Sequence, residues 1–132
     1  VIVSEIKKIN SITNAKKLIR NILNQTIHNP ESADSLNFFY TDAYRFYFLM
    51  SFMWEHFEGN EISQEYAISL VPKKYASRIK RLQVLKHAVK LNYISETPSI
   101  IDRRRRIYKP TELLLNDFLF YTENAYSKSK PV

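Results

Sequence analysis

Residues 62–94 read ISQEYAISLVPKKYASRIKRLQVLKHAVKLNYI, and they decide the fold because a short helix, a turn and a long helix follow one another. Ser63 is suited to cap the short helix, Glu65 lies favourably in its first turn, and Pro72 follows its end. The long helix is predicted from Lys73, and Asn92 suits the left-handed conformation that ends a helix. The stretch therefore predicts a helix-turn-helix.

The long helix is predicted to bury one apolar line and to expose two polar lines. Its apolar line consists of Tyr75, Ile79, Leu82 and Val89. The polar lines contain Lys74, Ser77, Arg78 and Arg81 on one side, and Lys80, Gln83 and His87 on the other. We expect His87 to be a surface residue rather than a ligand or an acid–base group.

Two short strands are predicted after the long helix, around YISET (93–97) and RRIYK (105–109), with a turn-like segment between them. Four consecutive arginines, Arg103–Arg106, lead into the second strand. Such a run is most often a solvated or disordered patch. Here Ile107 and Tyr108 anchor it, and alternation along a strand would send neighbouring guanidinium groups to opposite faces.

Positive charge is concentrated in this part of the chain. Residues 73–110 contain 12 Lys and Arg against two acidic residues, whereas residues 1–72 and 111–132 carry net charges of −2 and −1. The whole excess of the +7 chain therefore lies in one segment, which is typical of a protein that binds a polyanion.

The flanking segments are predicted to be helical. Apolar residues recur every three or four positions over residues 1–27, a pattern that stops near Pro30 and that must pack on later elements or on a second subunit. The last helix opens at Pro110 and Thr111, with an apolar side formed by Leu113, Leu114, Phe118 and Tyr121.

A second helix, capped by Ser32 or Asp34, is predicted to run to Gly59 and Asn60. Because it is aromatic and aliphatic nearly all round, we expect it to be buried on most sides. It is either a core helix alone, or a core helix that also lines a hydrophobic ligand pocket or a dimer interface.

Composition excludes several function classes. The absence of cysteine excludes thiol chemistry, disulfides and cysteine-bound zinc, and the three histidines have no metal-ligand spacing. A single glycine excludes glycine-rich phosphate loops. No nucleophile–base pair is suggested, so we expect neither an enzyme nor a cofactor. The longest apolar run, residues 46–54, is far shorter than the roughly 20 residues of a membrane span, which predicts a soluble, cytoplasmic protein without membrane contact.

The elements resemble the MarR-type family of transcriptional regulators in order and spacing. That family usually shows Ser-Arg in the second helix and, fifteen residues after the serine, a glycine and two apolar residues; here Ser77-Arg78 is followed by Asn92-Tyr93-Ile94. The family's wing carries Asp-x-Arg, a hydrophobic strand and Leu-Thr. Here Asp102 precedes the arginines and Pro110-Thr111 ends the strand, with proline in place of leucine.

The resemblance implies a mostly α fold with a small β-hairpin wing (α+β), a winged helix-turn-helix with flanking dimerisation helices. Residues 1–132 would form one domain, with N-terminal helices over 1–58, the winged helix-turn-helix over 59–110, a C-terminal helix over 111–127 and a tail over 128–132. The expected partners are double-stranded DNA, a second copy in a homodimer and, as in many relatives, a small aromatic ligand.

The expected DNA contacts lie on the long helix and the wing. A helix fits the major groove, and the narrow minor groove attracts guanidinium groups. Asp102 would shape the wing by pairing with Arg104. The candidate DNA-binding residues are Lys73, Lys74, Ser77, Arg78, Lys80, Arg81, Arg103, Arg104, Arg105 and Arg106. Two alternatives remain: a plasmid- or phage-type winged-helix replication or partition protein, and a winged helix that binds proteins.

Overall fold

A computed structural model describes residues 2–26 and 33–129. The described chain is mostly helical and contains one two-stranded antiparallel hairpin, which makes it a winged helix-turn-helix. Its elements in chain order are α1 (Ile2–Thr26), α2 (Asp34–Tyr40), α3 (Ala43–Phe57), α4 (Gln64–Ser69), α5 (Arg78–Lys90), β1 (Ile94–Pro98), β2 (Arg106–Pro110) and α6 (Glu112–Ser129).

The base of the wing packs on the hydrophobic core. Strands β1 and β2 pair in the register Ile94–Pro110 to Pro98–Arg106, and the side chains of Ile94 and Tyr108 are buried. The Tyr108 N–H also donates to the Ile62 carbonyl at 2.8 Å, and Ser63 forms a β-bridge with Ile107. The chain just before α4 therefore acts as a short third strand that ties the hairpin to the helix-turn-helix.

Most predicted helix ends are confirmed. Ser63 accepts the Tyr66 N–H and so caps α4, as predicted. The predicted start of the long helix at Lys73 is wrong: residues 73–77 form a turn, and Ser77 accepts the Lys80 N–H and caps α5, which begins at Arg78. Gly59 and Asn92 have φ angles of 79° and 65°, the left-handed geometry expected after a helix. At the start of α6, the Thr111 hydroxyl accepts the Leu114 N–H. Helix α6 extends to Ser129, beyond the predicted end at residue 127.

The prediction of one helix from Asp34 to Gly59 is wrong, because the chain bends at Thr41 and Asp42 to form α2 and α3. The predicted caps also differ: Asp34 lies inside α2, its preceding residue makes no side-chain cap, and Ser32 lies outside the described residues. The bend lets two parts of one aromatic segment face each other. The ring of Phe39 in α2 stacks on Phe48 in α3, with centroids 6.2 Å apart.

Helix α3 is buried on one face only, contrary to the expectation of burial on most sides. Phe48, Leu49, Phe52 and Met53 are buried in the core, whereas Trp54 and Phe57 are 66% and 53% exposed. The core also receives Leu36, Phe39, Ile62, Val71, Val84, Leu85, Ala88, Leu114 and Phe118. An exposed aromatic strip on α3 remains uncovered by the described chain.

Helix α1 lies beside α6 and is exposed over residues 2–20. Its exposed apolar side chains are Ile2, Val3, Ile6, Ile9, Ile12, Leu18 and Ile19. Over residues 2–20 the described chain therefore does not bury the predicted apolar stripe, which leaves the second subunit as the other expected partner. The predicted stop at Pro30 lies outside the described residues. None of the helices within 2–26 and 33–129 is long and apolar enough to cross a bilayer.

Candidate nucleic-acid interface

The start of α5 presents a group of exposed cations and polar side chains. Lys73 and Lys74 precede the helix in the turn after α4, and Ser77, Arg78 and Lys80 form its first turn. All five are exposed, as predicted. The Ser77 hydroxyl accepts the Lys80 N–H at 3.2 Å and thereby fixes the direction of the helix. An exposed helix end with four cations suits the negatively charged groove of duplex DNA.

The prediction that Arg81 is exposed is wrong. Its side chain is 7% exposed and points into the angle between α4 and α5. The guanidinium donates to the Ile68 carbonyl at 2.9 Å and to the Val71 carbonyl at 3.2 Å. These carbonyls lie at the end of α4, where a helix leaves carbonyl groups without partners. Arg81 therefore holds the two helices of the motif together.

The prediction of the apolar line on α5 is also wrong. Tyr75 and Ile79 are 53% and 68% exposed. The buried side of the helix consists of Arg81, Val84, Leu85 and Ala88. These positions follow the i, i+3, i+4, i+7 spacing of a helix face, so the pattern was present in the sequence. Because one residue of this buried face is an arginine, its apolar pattern was not recognised.

The wing turn is held by a small set of hydrogen bonds. Buried Ser99 donates its N–H to the Arg105 carbonyl at 2.8 Å, and its hydroxyl accepts the Ile101 N–H. The Asp102 carboxylate accepts the Arg104 N–H at 3.1 Å and lies 3.5 Å from the Arg104 Nε. Asp102 thus pairs with Arg104, as expected, and its role in shaping the wing stays a prediction. The turn is thus ordered by its own backbone and side chains.

The four arginines of the wing are all exposed, but their arrangement differs from the expectation. Arg103, Arg104 and Arg105 lie in the turn, and only Arg106 belongs to β2. Strand alternation therefore does not separate the neighbouring guanidinium groups.

Two carboxylates of the α4 region form ion pairs, one with a cation at the start of α5 and the other with a cation of the wing. Glu65 accepts two hydrogen bonds from Arg78, at 2.6 and 2.9 Å, and these bonds lower the pKa of the Glu65 carboxyl. Glu61 lies 3.9 Å from the Nε of Arg105. Because Glu61 and Glu65 are four residues apart, their Cα atoms lie within about 14 Å of each other. The start of α5 and the wing are thus each joined to the α4 region by an ion pair, and the sequence analysis missed both pairings.

A second missed feature connects α5 to the hairpin. The Tyr108 hydroxyl donates to Glu96 at 2.6 Å and accepts from Lys86 at 2.9 Å, while Lys86 also donates to Glu96 at 2.7 Å. Burial lowers the pKa of Lys86, but hydrogen bonds to Glu96 and Tyr108 outweigh it and raise the pKa. Hydrogen bonds from Lys86 and Tyr108 hold the pKa of Glu96 below its usual value. This network fixes the orientation of the wing relative to α5.

The arrangement of these groups is suited to binding anions along a surface. Nine of the ten predicted DNA-binding residues are exposed and lie at the start of α5 or on the wing; Arg81 is the exception. Within residues 2–26 and 33–129, no three His, Cys, Asp or Glu side chains are grouped so as to hold a metal ion.

Comparisons with known proteins add one similar structure. No protein-family model matches the chain, and no curated protein does so. Among solved structures, the chain is similar to the crystal structure of apo (heme-free) PefR, with 16% identity and a TM-score of 0.44. The match covers 93% of this chain and 95% of the other. The winged-helix assignment rests on the order of α4, α5, β1 and β2 and on the pairing of the two strands.

Proposed function

We propose that the protein is a sequence-specific, double-stranded DNA-binding transcriptional regulator, without enzymatic activity, of the MarR-like type that its motifs resemble. One observation carries the proposal: exposed cations are grouped at the start of α5 and on the wing, and the whole positive excess of the chain lies between residues 73 and 110. Such a concentration of exposed cations on a winged helix suits the charge of duplex DNA.

In this proposal the two halves of the surface act on different grooves. The first turn of α5 enters the major groove, where Arg78 and Lys80 reach base edges or phosphates. Lys73 and Lys74 contact the backbone beside it. The wing arginines follow the adjacent minor groove and its phosphates, whose negative potential attracts guanidinium groups. Arg81 positions α5 and does not contact DNA.

The exposed apolar helices support a homodimer. Large apolar side chains are exposed on α1, on α3 at Trp54 and Phe57, and on α6 at Leu113, Leu119 and Phe120. Groups of exposed apolar side chains are typical of interaction surfaces. A second copy would cover them and would present a second α5, as two half-sites of one operator require. Sedimentation should give twice the chain mass, and a strict monomer at micromolar concentration would exclude the dimer.

Duplex titration at several salt concentrations tests DNA binding itself. A pool of random 30-base-pair duplexes supplies the ligand, since no operator is required for backbone contacts. If each subunit of a dimer neutralises three or more phosphates, log K should fall against log salt with a slope of about −5 or steeper. A flat slope, or no binding at low salt, would favour a protein-binding winged helix instead. Binding of a small aromatic ligand by the aromatic residues of α2 and α3 stays a prediction.

The Glu65–Arg78 pair gives a sharper prediction about affinity. Both side chains are exposed, so water and phosphate compete for the pair and Arg78 can be released on binding. Glu65→Gln removes a negative charge from the surface that faces DNA. We expect random duplexes to bind roughly three-fold more tightly or better, with an unchanged melting temperature. Glu5→Gln on α1 is the matched control. Equal effects of the two changes would place Glu65 outside the interface.

A further inference from the structure

Two isoleucines protrude at the tip of the wing. Ile100 and Ile101 are 97% and 92% exposed, more than any other large apolar side chain described. They precede Asp102 and the four arginines directly. Exposed single apolar residues are common on protein surfaces, but two adjacent and almost completely exposed isoleucines at the end of a basic hairpin are not explained by packing.

Hydrogen bonds give the turn at the tip of the wing a defined conformation. Ser99, which is buried, accepts the Ile101 and Asp102 N–H groups with its hydroxyl, and Asp102 in turn holds the Arg104 and Arg105 backbone. The apolar pair therefore stands on a turn that is fixed on both sides. Because β-branched side chains have few rotamers, little further entropy is lost when they enter a partner.

The immediate surroundings of the pair are strongly cationic. Four exposed arginines, Arg103–Arg106, follow within five residues of Ile101. A partner that buries the isoleucines must therefore also offer a dense array of negative charge. Duplex DNA does so in its minor groove, where apolar wedges on basic arms are inserted between base pairs and bend the helix.

Resting on the proposed DNA binding, we propose that Ile100 and Ile101 form an apolar wedge that enters the minor groove and bends the duplex. The arginines that follow hold the phosphates on either side of the opened step. Burying the two side chains offsets part of the unstacking, which is smallest at flexible TA steps and largest in stiff A-tracts. The wedge thus makes the protein sensitive to the flexibility of DNA at positions that it does not read by hydrogen bonds.

The test measures bending and flexibility preference together. Two end-labelled 30-base-pair duplexes are used, one with alternating TA in its central 12 base pairs and one with an A-tract there, and energy transfer reports the end-to-end distance. Wild type should bend the TA duplex by about 30° or more. We expect it to prefer the TA duplex over the A-tract by about ten-fold.

The doubly substituted I100S/I101S chain should still bind both duplexes, because its arginines are intact. Its bend should fall to less than half of the wild-type value, and its preference to about two-fold or less. I100V/I101V, which keeps β-branched apolar side chains, should behave as wild type. Both changes are at exposed positions, and a melting curve verifies the fold.

Several outcomes separate the wedge from DNA binding in general. Equal bending by wild type and I100S/I101S, or tight wild-type binding without bending, would overturn the wedge while leaving DNA binding intact. Failure of every variant to bind either duplex would overturn both proposals. Isoleucine-dependent binding to vesicles of phosphatidylserine and phosphatidylcholine, with no bend in DNA, would show that the tip inserts into an anionic membrane and would also overturn the wedge.

Discussion

Replacing Arg103, Arg104, Arg105 and Arg106 together by alanine is expected to weaken duplex binding at least about 100-fold. The estimate assumes that two of the four guanidinium groups contact phosphates, each through hydrogen bonds worth about 1.5 kcal/mol. The plot of log K against log salt should become shallower by about 2 for each subunit, since each lost phosphate contact contributes about 0.9. Fluorescence anisotropy with a labelled duplex at four salt concentrations measures both quantities.

The same charge change can be made away from the proposed surface. Lys7, Lys8, Lys16 and Lys17 are exposed on α1, and their replacement by alanine also removes four positive charges. We expect this control to lose only a small part of the affinity. If the two variants weaken binding equally, the wing has no specific role and the effect is one of net charge alone. Four lysines in place of the arginines should retain the salt dependence but weaken minor-groove contacts.

Arg81→Ala is expected to destabilise the fold by about 3 kcal/mol, because the Ile68 and Val71 carbonyls lose their donors in a buried place. For a chain of this length such a loss lowers the melting temperature by about 10 °C. Thermal unfolding followed by circular dichroism at 222 nm measures it. The sequence alone suggested instead that Arg81 contacts DNA.

Arg78→Ala provides the matched comparison, three residues earlier on the same helix. Arg78 is exposed, so its replacement should leave the melting temperature unchanged and lower the sequence preference of binding. The two arginines are thus expected to give opposite results in the two measurements. A stable Arg81→Ala protein with reduced sequence preference would restore Arg81 to the DNA-binding surface and contradict the packing described here.

The helix-turn-helix and the hairpin could be predicted because local chemistry determines them. Ser63 caps α4, Asn92 adopts the left-handed conformation, and β-branched and aromatic residues favour the strands β1 and β2. The break between α2 and α3 could not be predicted in this way. Apolar residues occur on every side of the segment, so periodicity does not show which face is buried, and the bend at Thr41 and Asp42 depends on tertiary packing.

Composition predicted where the basic residues of the interface lie, but it could not predict which residues they contact. A concentration of cations identified the basic segment, and Asp102 was correctly assigned to the wing. The partners of Arg78, Arg81 and Arg105 could not be found, because each lies at least ten residues away along the chain and its position depends on how α4 packs on α5. Arg81 illustrates the difference most clearly. Arginine often binds anions, but here its guanidinium donates hydrogen bonds to carbonyl groups at the end of α4.

Selection from a random duplex pool tests the central claim most directly. The wild-type chain is bound to duplexes with 25 random base pairs at 150 mM salt, and the retained sequences are read after several rounds. We expect a two-fold symmetric sequence whose half-sites lie about one helical turn apart, since a dimer presents two copies of α5 to successive major grooves. Retained sequences without symmetry, or no enrichment over the starting pool, would contradict a dimeric, sequence-specific DNA-binding protein.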